Sequence, residues 1–287
     1  MILADQWQDY VILETGNGEK VERWGDAILC RPDPQTIWSC PLPAKKEAHG
    51  VYKRSSSGGG KWNFTKKLPE SWTISYKDLK FKVQPTGFKH TGLFPEQAAN
   101  WDFIRETIKN ANREIKVLNL FAYTGGATVA AASAGASVCH VDASKGMVQW
   151  AKENAILSGL KDKPVRYIVD DVLKFVQREQ RRGNTYHAII MDPPSYGRGP
   201  NGEIWKLENE LFPLVLECSK ILDEKPLFFL INSYTTGLQS SVLKNILQLS
   251  LGNKFDIKSI VADELGIPVL NQPLVLPCGS TARCVFD

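Results

Sequence analysis

The chain has 287 residues, 43% apolar and 23% charged, the make-up of an ordinary globular protein with length for one large domain or two modest ones. A formal net charge of +4 excludes recruitment of a polyelectrolyte by total charge alone and leaves a local basic face open. No apolar run nears the roughly 20 residues of a membrane span, no leader-like segment opens the chain, and six scattered cysteines with four histidines form neither C-x-x-C pairs nor metal-ligand clusters, so reduced thiols, a cytoplasmic location, no membrane and no metal are expected.

The first ninety residues read as a small β-rich N-terminal domain or extension (1–90). Residues 10–14 form a short strand, G-N-G at 16–18 a turn, and residues 21–30 the returning strand. Prolines at 32, 34, 41 and 43 break any long element, and S-S-S-G-G-G at 55–60 is an expected flexible loop. W-T-I-S-Y (72–76) and L-K-F-K-V (79–83) follow; the second alternates apolar and basic residues, as a half-exposed antiparallel strand does.

Beyond residue 91 the pattern becomes strand–helix alternation, the second expected domain (91–287). Helices are expected over 95–112, 127–134, 145–158, 172–182, 207–222 and 240–251. Strands are expected over 116–121, 137–141, 165–169, 186–191, 227–231, 255–261 and 282–286. Alternation of this kind predicts an α/β fold, a seven-stranded, mostly parallel sheet with helices on both faces. Only a loop rich in proline and glycine (266–279) separates the last two strands, so the final strand is expected to run antiparallel.

Two stretches carry the chemistry. V-L-N-L-F-A-Y-T-G-G-A (117–127) is an apolar strand running into the turn Tyr123-Thr124-Gly125-Gly126, where glycine permits unusual backbone angles and close ligand approach. It is not G-x-G-x-x-G, so a pyrophosphate cradle and a nicotinamide oxidoreductase are disfavoured. Asp142 ends the next strand, roughly twenty residues on, where a carboxylate accepts from ribose hydroxyls. Asp171 follows the third strand, where it can accept from an adenine amino group or cap a helix. I-I-M-D-P-P-S-Y (189–196) delivers Asp192-Pro193-Pro194 to the same sheet edge, with backbone angles fixed by the prolines.

V-L-N-L-F-A-Y-T-G-G with V-D-A-S, D-V-L-K-F and M-D-P-P-S-Y resembles the class I S-adenosylmethionine-dependent methyltransferases, closest to the branch of bacterial 23S rRNA methyltransferases. K-H-T-G-L-F-P-E-Q (89–97) is similar to a T-G-x-F-x-x-Q pattern of that branch, and the likeness runs from about residue 89 to the end. The resemblance implies a Rossmann-like sheet with an inserted antiparallel last strand and S-adenosyl-L-methionine as cofactor. It implies that Phe121, Ala122, Tyr123, Thr124 and Gly125 wrap the methionine part and that Asp142 holds the ribose. Ala143 and Ser144 would flank the adenine, Asp171 and Val172 read its edge, and Phe94 and Gln97 close over the cofactor. Asn119 stands where many relatives have Asp, to bond the ammonium or order the turn. Asp192, Pro193, Pro194 and Ser195 would line the acceptor pocket, with Tyr196 stacking on a target base or packing in its loop.

Relatives that make 5-methylcytosine place a cysteine just after the fifth strand; L-I-N-S-Y-T-T-G-L (230–238) has none, which favours a nitrogen or oxygen acceptor. Residues 196–207 are expected as a lid or a plain connection. RNA, as rRNA, is the expected substrate. Lys45, Lys46, Lys53, Arg54, Lys61, Lys66 and Lys67 interleave with Tyr52, Trp62 and Phe64, a pattern that suits single-stranded nucleic acid or a solvated loop. A protein or small-molecule acceptor, and a cofactor-binding module without catalysis, are the alternatives.

Overall fold

The computed structural model describes residues 1–55, 59–198, 204–235 and 237–287. Two compact units are present. The smaller holds Ile2–Ala99 and Gly266–Cys278; the larger holds Met1, Asn100–Leu265 and Gly279–Asp287. The chain passes from one unit to the other at residues 99–100 and lends the smaller unit the late segment Gly266–Cys278.

In the smaller unit the strands are β1 (Ile2–Leu3), β2 (Tyr10–Gly16), β3 (Glu19–Trp24), β4 (Ala27–Pro32), β5 (Gly50–Arg54), β6 (Gly60–Phe64), β7 (Trp72–Tyr76) and β8 (Leu79–Val83). Strands β2 to β6 form one sheet in sequence order, and β7 and β8 a separate hairpin. The single strand expected over 21–30 is instead two: Gly25, at φ 62°, turns the chain so that Trp24 pairs with Ala27. A left-handed glycine reverses the backbone at no side-chain cost, and the G-D dipeptide was the overlooked signal. A short 3-10 helix (Pro43–Glu47) carries the crossover to β5, which runs parallel to β4. Trp24, Tyr10, Ile74, Tyr76 and Phe81 are fully buried, with the Tyr10 and Trp24 rings 4.6 Å apart.

The larger unit is built from α1 (Ala98–Asn110), β9 (Lys116–Leu120), α2 (Gly126–Ser133), β10 (Ser137–Asp142), α3 (Lys145–Leu157), β11 (Val165–Val169), α4 (Val172–Arg181), β12 (Ala188–Met191), β13 (Tyr196–Arg198), β14 (Ile204–Lys206), α5 (Leu207–Ser219), β15 (Phe228–Ser233), α6 (Ser240–Leu251), β16 (Ile257–Pro268) and β17 (Val275–Phe286). The main sheet has eight strands in the order β1-β16-β17-β15-β12-β9-β10-β11; the strand beyond the expected seven is the two-residue β1. β9 to β12 and β15 pair parallel, and β17 lies antiparallel beside β15, the inserted last strand that the resemblance implied.

Three local differences from the sequence reading have physical causes. A 3-10 turn (Pro95–Gln97) precedes α1, because proline suits the first turn of a helix but does not continue one. Residues 266–279 are largely strand: β16 and β17 extend to Pro268 and from Val275, with alternating burial in β17 that outweighs its proline and glycine. Residues 196–207 begin and end as the antiparallel hairpin β13–β14, and 199–203 lie outside the described residues, as do 56–58 of the expected 55–60 loop.

Side chains of β9, β10, β12 and β15 alternate between the two faces of the sheet. Leu118, Leu120, Cys139, Val141, Ile189, Met191, Phe229 and Ile231 pack with Phe175, Leu211, Leu214, Leu243 and Leu247 of α4, α5 and α6. Among the described residues no helix is long and apolar enough to cross a membrane.

Candidate active site

Register sets the site. Leu120 of β9 pairs with Val141 of β10 on one side and Met191 of β12 on the other, and Asp142 pairs with Val169 of β11. One step beyond, Asp192, Phe121 and Asp142 stand in a row on neighbouring strand ends, with Asp170 and Asp171 next along. At roughly 4.8 Å per strand, Asp142 and Asp192 flank Phe121 at about 10 Å from each other. Sequence order runs outward from β9 to β10 and β11, then switches to β12 on its other side. That is the switch point at which open α/β sheets bind ligands.

The turn after β9 is held in an uncommon shape. Phe121 (φ 53°), Tyr123 (φ 49°) and Gly125 (φ 82°) alternate in the left-handed region, which non-glycine residues rarely enter unless the surroundings demand it. Asp142 supplies part of that demand: Oδ2 accepts from Tyr123 N at 2.8 Å and Oδ1 from Ser144 N at 2.8 Å. Each oxygen keeps a further lone pair. Buried Asn154 donates to Thr124 O at 2.8 Å from below. Asn119 donates to Thr128 Oγ1 at 2.9 Å, and Thr128 Oγ1 is bonded to His140 Nδ1 at 2.9 Å, so this amide orders the start of α2. Burial pushes His140 down to about 3, and the imidazole is neutral.

The glycines have a packing reason that the sequence reading did not contain. A Cβ on Gly125 would lie 2.8 Å from the Ala151 Cβ, and one on Gly126 2.6 Å from the Trp101 ring. Both are required by helices α3 and α1 as much as by any ligand.

Around Asp171 the helix-capping reading is realised. Its Oδ1 accepts from Lys174 N at 2.9 Å, and Ser144 caps α3 in the same manner, at 3.5 Å from Met147 N. Neighbouring Asp170 is ion-paired with Arg178. Asp171, Ala143 and Ser144 are exposed at the rim, whereas the Val172 side chain is buried in the core, leaving its main chain to face a ligand.

Asp192 is half-buried, and desolvation raises its carboxyl to about 6. Pro193 is buried, while Pro194, Ser195 and Tyr196 are exposed. Two residues anchor this segment: Trp205, from the 196–207 stretch expected as a lid or plain connection, and Thr235, which the sequence reading did not place at the site. Trp205 Nε1 donates to Pro194 O at 2.6 Å with its ring 5.3 Å from that of Phe121, and Thr235 Oγ1 is 2.7 Å from Ser195 Oγ. The remaining members of the sequence set, Phe94 and Gln97, lie in the smaller unit, at the 3-10 turn before α1, with the Phe94 and His90 rings 5.5 Å apart. Among the described residues no group of three or more His, Cys, Asp or Glu gathers as a metal would need.

A family model described as S-adenosylmethionine-dependent methyltransferase matches residues 38–205, more than half of the chain. The chain belongs to the S-adenosylmethionine-dependent methyltransferases. A crystal structure of such a methyltransferase from Agrobacterium tumefaciens is 35% identical, with a TM-score of 0.92 over 99% of this chain and 93% of that one. The ribosomal RNA large subunit methyltransferase K/L of Shewanella frigidimarina is 36% identical over 218 residues, 73% of this chain but only 29% of its own length. The methyltransferase K of Neisseria meningitidis serogroup B is 27% identical over 80% of this chain and 66% of its own. The chain thus spans less than a third of the K/L relative. The residues present fit the family's cofactor: a carboxylate with spare lone pairs, a main-chain turn held open by left-handed residues, and exposed rim positions follow one another along the strand ends.

Proposed function

We propose that this methyltransferase acts on RNA, large-subunit ribosomal RNA, at a nitrogen or oxygen, in the cytoplasm, with residues 91–287 as the methyltransferase domain. The observation that carries the site is the row Asp192, Phe121, Asp142 at adjoining strand ends. RNA is supported by what the relatives are named for.

Bound S-adenosylmethionine supplies a methyl group activated on a sulfonium. In this reading the main chain of Phe121, Ala122, Tyr123, Thr124 and Gly125 holds the amino-acid part. Asp142 accepts from the ribose, Ala143 and Ser144 border the adenine, and Asp171 with the Val172 main chain binds its edge. Asp192, ionised above about pH 6, accepts a hydrogen from the incoming nitrogen or hydroxyl and orients its lone pair. The Pro194 carbonyl and Ser195, braced by Trp205 and Thr235, frame the acceptor, and exposed Tyr196 is its stacking partner. A cysteine nucleophile is disfavoured further by burial, which raises the Cys218 and Cys278 thiols far above neutrality and keeps them protonated.

The test is transfer of labelled methyl into fractionated RNA, protein and metabolites from cells lacking the gene. Label in the RNA fraction is expected. Label confined to protein or metabolites overturns the RNA reading, and no label anywhere overturns the activity.

A further inference from the structure

The hairpin β5–β6 carries the argument. Its register pairs Gly50 with Phe64, Tyr52 with Trp62 and Arg54 with Gly60, so these residues share one face, while Lys53 and Lys61 share the other. The Tyr52 and Trp62 rings meet edge to face at 5.5 Å, and Trp62 and Phe64 lie nearly parallel at 6.0 Å. Trp62 Nε1 donates to Thr86 O at 2.9 Å and to Phe88 O at 3.2 Å, which brings residues 86–90 onto that same face. The loop is tied down elsewhere too: Arg31 Nη1 donates to Lys89 O at 3.0 Å and Thr86 Oγ1 to His90 O at 2.8 Å.

On this fixed frame two aromatic rings stand in solvent, Phe64 at 53% and Phe88 at 69% exposure. The Phe64 ring lies against Trp62 and Phe88 is tied by its main chain, and both rings are left to expose apolar area. Beside them the charge is positive. Half-buried Lys89 is held below the usual lysine range by desolvation and by Lys20, Arg54 and Arg31, with Asp33 opposing. Glu22 does not offset this, because it is engaged by Arg31 at 2.6 Å.

We propose that this face of the smaller unit binds single-stranded RNA, with Phe64 and Phe88 stacking on bases and Arg54 and Lys89 contacting phosphates. The inference rests on RNA being the substrate. Exposed rings and cations on one face meet the requirements of single-strand binding, since every base has a stacking face and every linkage a charge. It also revises the basic patch read from the sequence. Lys45 is paired with Glu19, Lys66 lies 3.8 Å from Glu47, and Lys53 and Lys61 point to the opposite face.

The experiment is fluorescence anisotropy of the full chain with a short labelled oligouridylate and with the same backbone lacking bases. Phe64→Ala and Phe88→Ala should each weaken binding of the base-bearing strand about tenfold and leave the abasic one unchanged, and the double variant should abolish the preference between them. Arg54→Ala and Lys89→Ala should weaken both strands alike and lower the slope of log affinity against log salt by about 0.7 each. Phe64→Leu and Phe88→Leu, which keep apolar bulk, should behave as the alanine variants do, separating stacking from folding. Wild-type RNA binding that all these variants match overturns the surface while leaving RNA as substrate intact. Competition by polyglutamate equal to that by RNA also overturns it, in favour of an acidic protein partner. A wild-type protein that neither binds nor methylates RNA removes the substrate reading and this surface together.

Discussion

Asp192 carries the proposed chemistry, and burial raises its carboxyl to about 6, so its charge changes within the working pH range. If its carboxylate accepts the hydrogen of the acceptor, methyl transfer should rise with pH through an apparent pKa close to 6. Asp192→Asn should lose most of the rate and flatten that profile while retaining affinity for S-adenosylhomocysteine. Stability should move the other way. The folded carboxyl holds its proton more tightly than the unfolded one, so the wild-type protein is penalised as pH rises through about 6. Asp192→Asn should then unfold about 1 to 3 kcal/mol harder at pH 8 and show no gain at pH 4, by denaturant titration. Asp142 differs, since its oxygens already hold Tyr123 N and Ser144 N at 2.8 Å each. Asp142→Ala frees both donors and should weaken S-adenosylhomocysteine binding at least tenfold by calorimetry. Gly125→Ala combines φ 82° with a 2.8 Å clash on Ala151 and should cost about 2 kcal/mol or more in stability.

Among the elements, the hairpin β13–β14 and the pair β3–β4 each depend on one buried or bridging group. Trp205→Phe keeps a ring near Phe121 and removes the hydrogen bond to Pro194 O. Methyl transfer should fall several-fold with cofactor affinity unchanged, since only the acceptor frame loosens. In the smaller unit, fully buried Glu22 accepts from Tyr10 of β2 at 2.7 Å and from Arg31 of β4 at 2.6 Å. Burial alone would raise its carboxyl, yet Arg31 and Lys20 hold it at about 2. A depressed folded pKa contributes stability that is complete above the unfolded carboxyl range and is lost as pH falls toward 2. Glu22→Gln strands the buried Arg31, while Lys20 keeps Asp33 at 3.1 Å, and should destabilise the smaller unit by about 3 kcal/mol at neutral pH.

For the whole molecule, a ligand that binds only the folded chain raises its stability with the logarithm of its free concentration over its dissociation constant. S-adenosylhomocysteine at a hundred times its dissociation constant should add about 2.7 kcal/mol, and NAD at the same concentration nothing, by thermal unfolding. An equal shift with NAD would contradict the incomplete glycine fingerprint. With a net charge of only +4, affinity for RNA should depend on a few local cations, and its salt dependence should be correspondingly shallow.

Much of this protein was legible in its sequence for local reasons. Apolar runs of strand length, ending in a glycine turn, an aspartate or Asp-Pro-Pro, are properties of short segments, and they located β9 to β12 and the rim residues. The reversal at Gly25 is equally local, a G-D turn between two strand-forming runs. What the tertiary structure alone decided is non-local. Strand order made Asp142 and Asp192 flank the same turn; Ala151 and Trp101 require the glycines; and Trp205 and Thr235 brace the Pro194–Ser195 segment. Lys53 and Lys61 part from the aromatic face of the β5–β6 hairpin, which keeps Arg54, only once register is known. Pairing and packing join residues distant in the chain, and no window of sequence contains both partners.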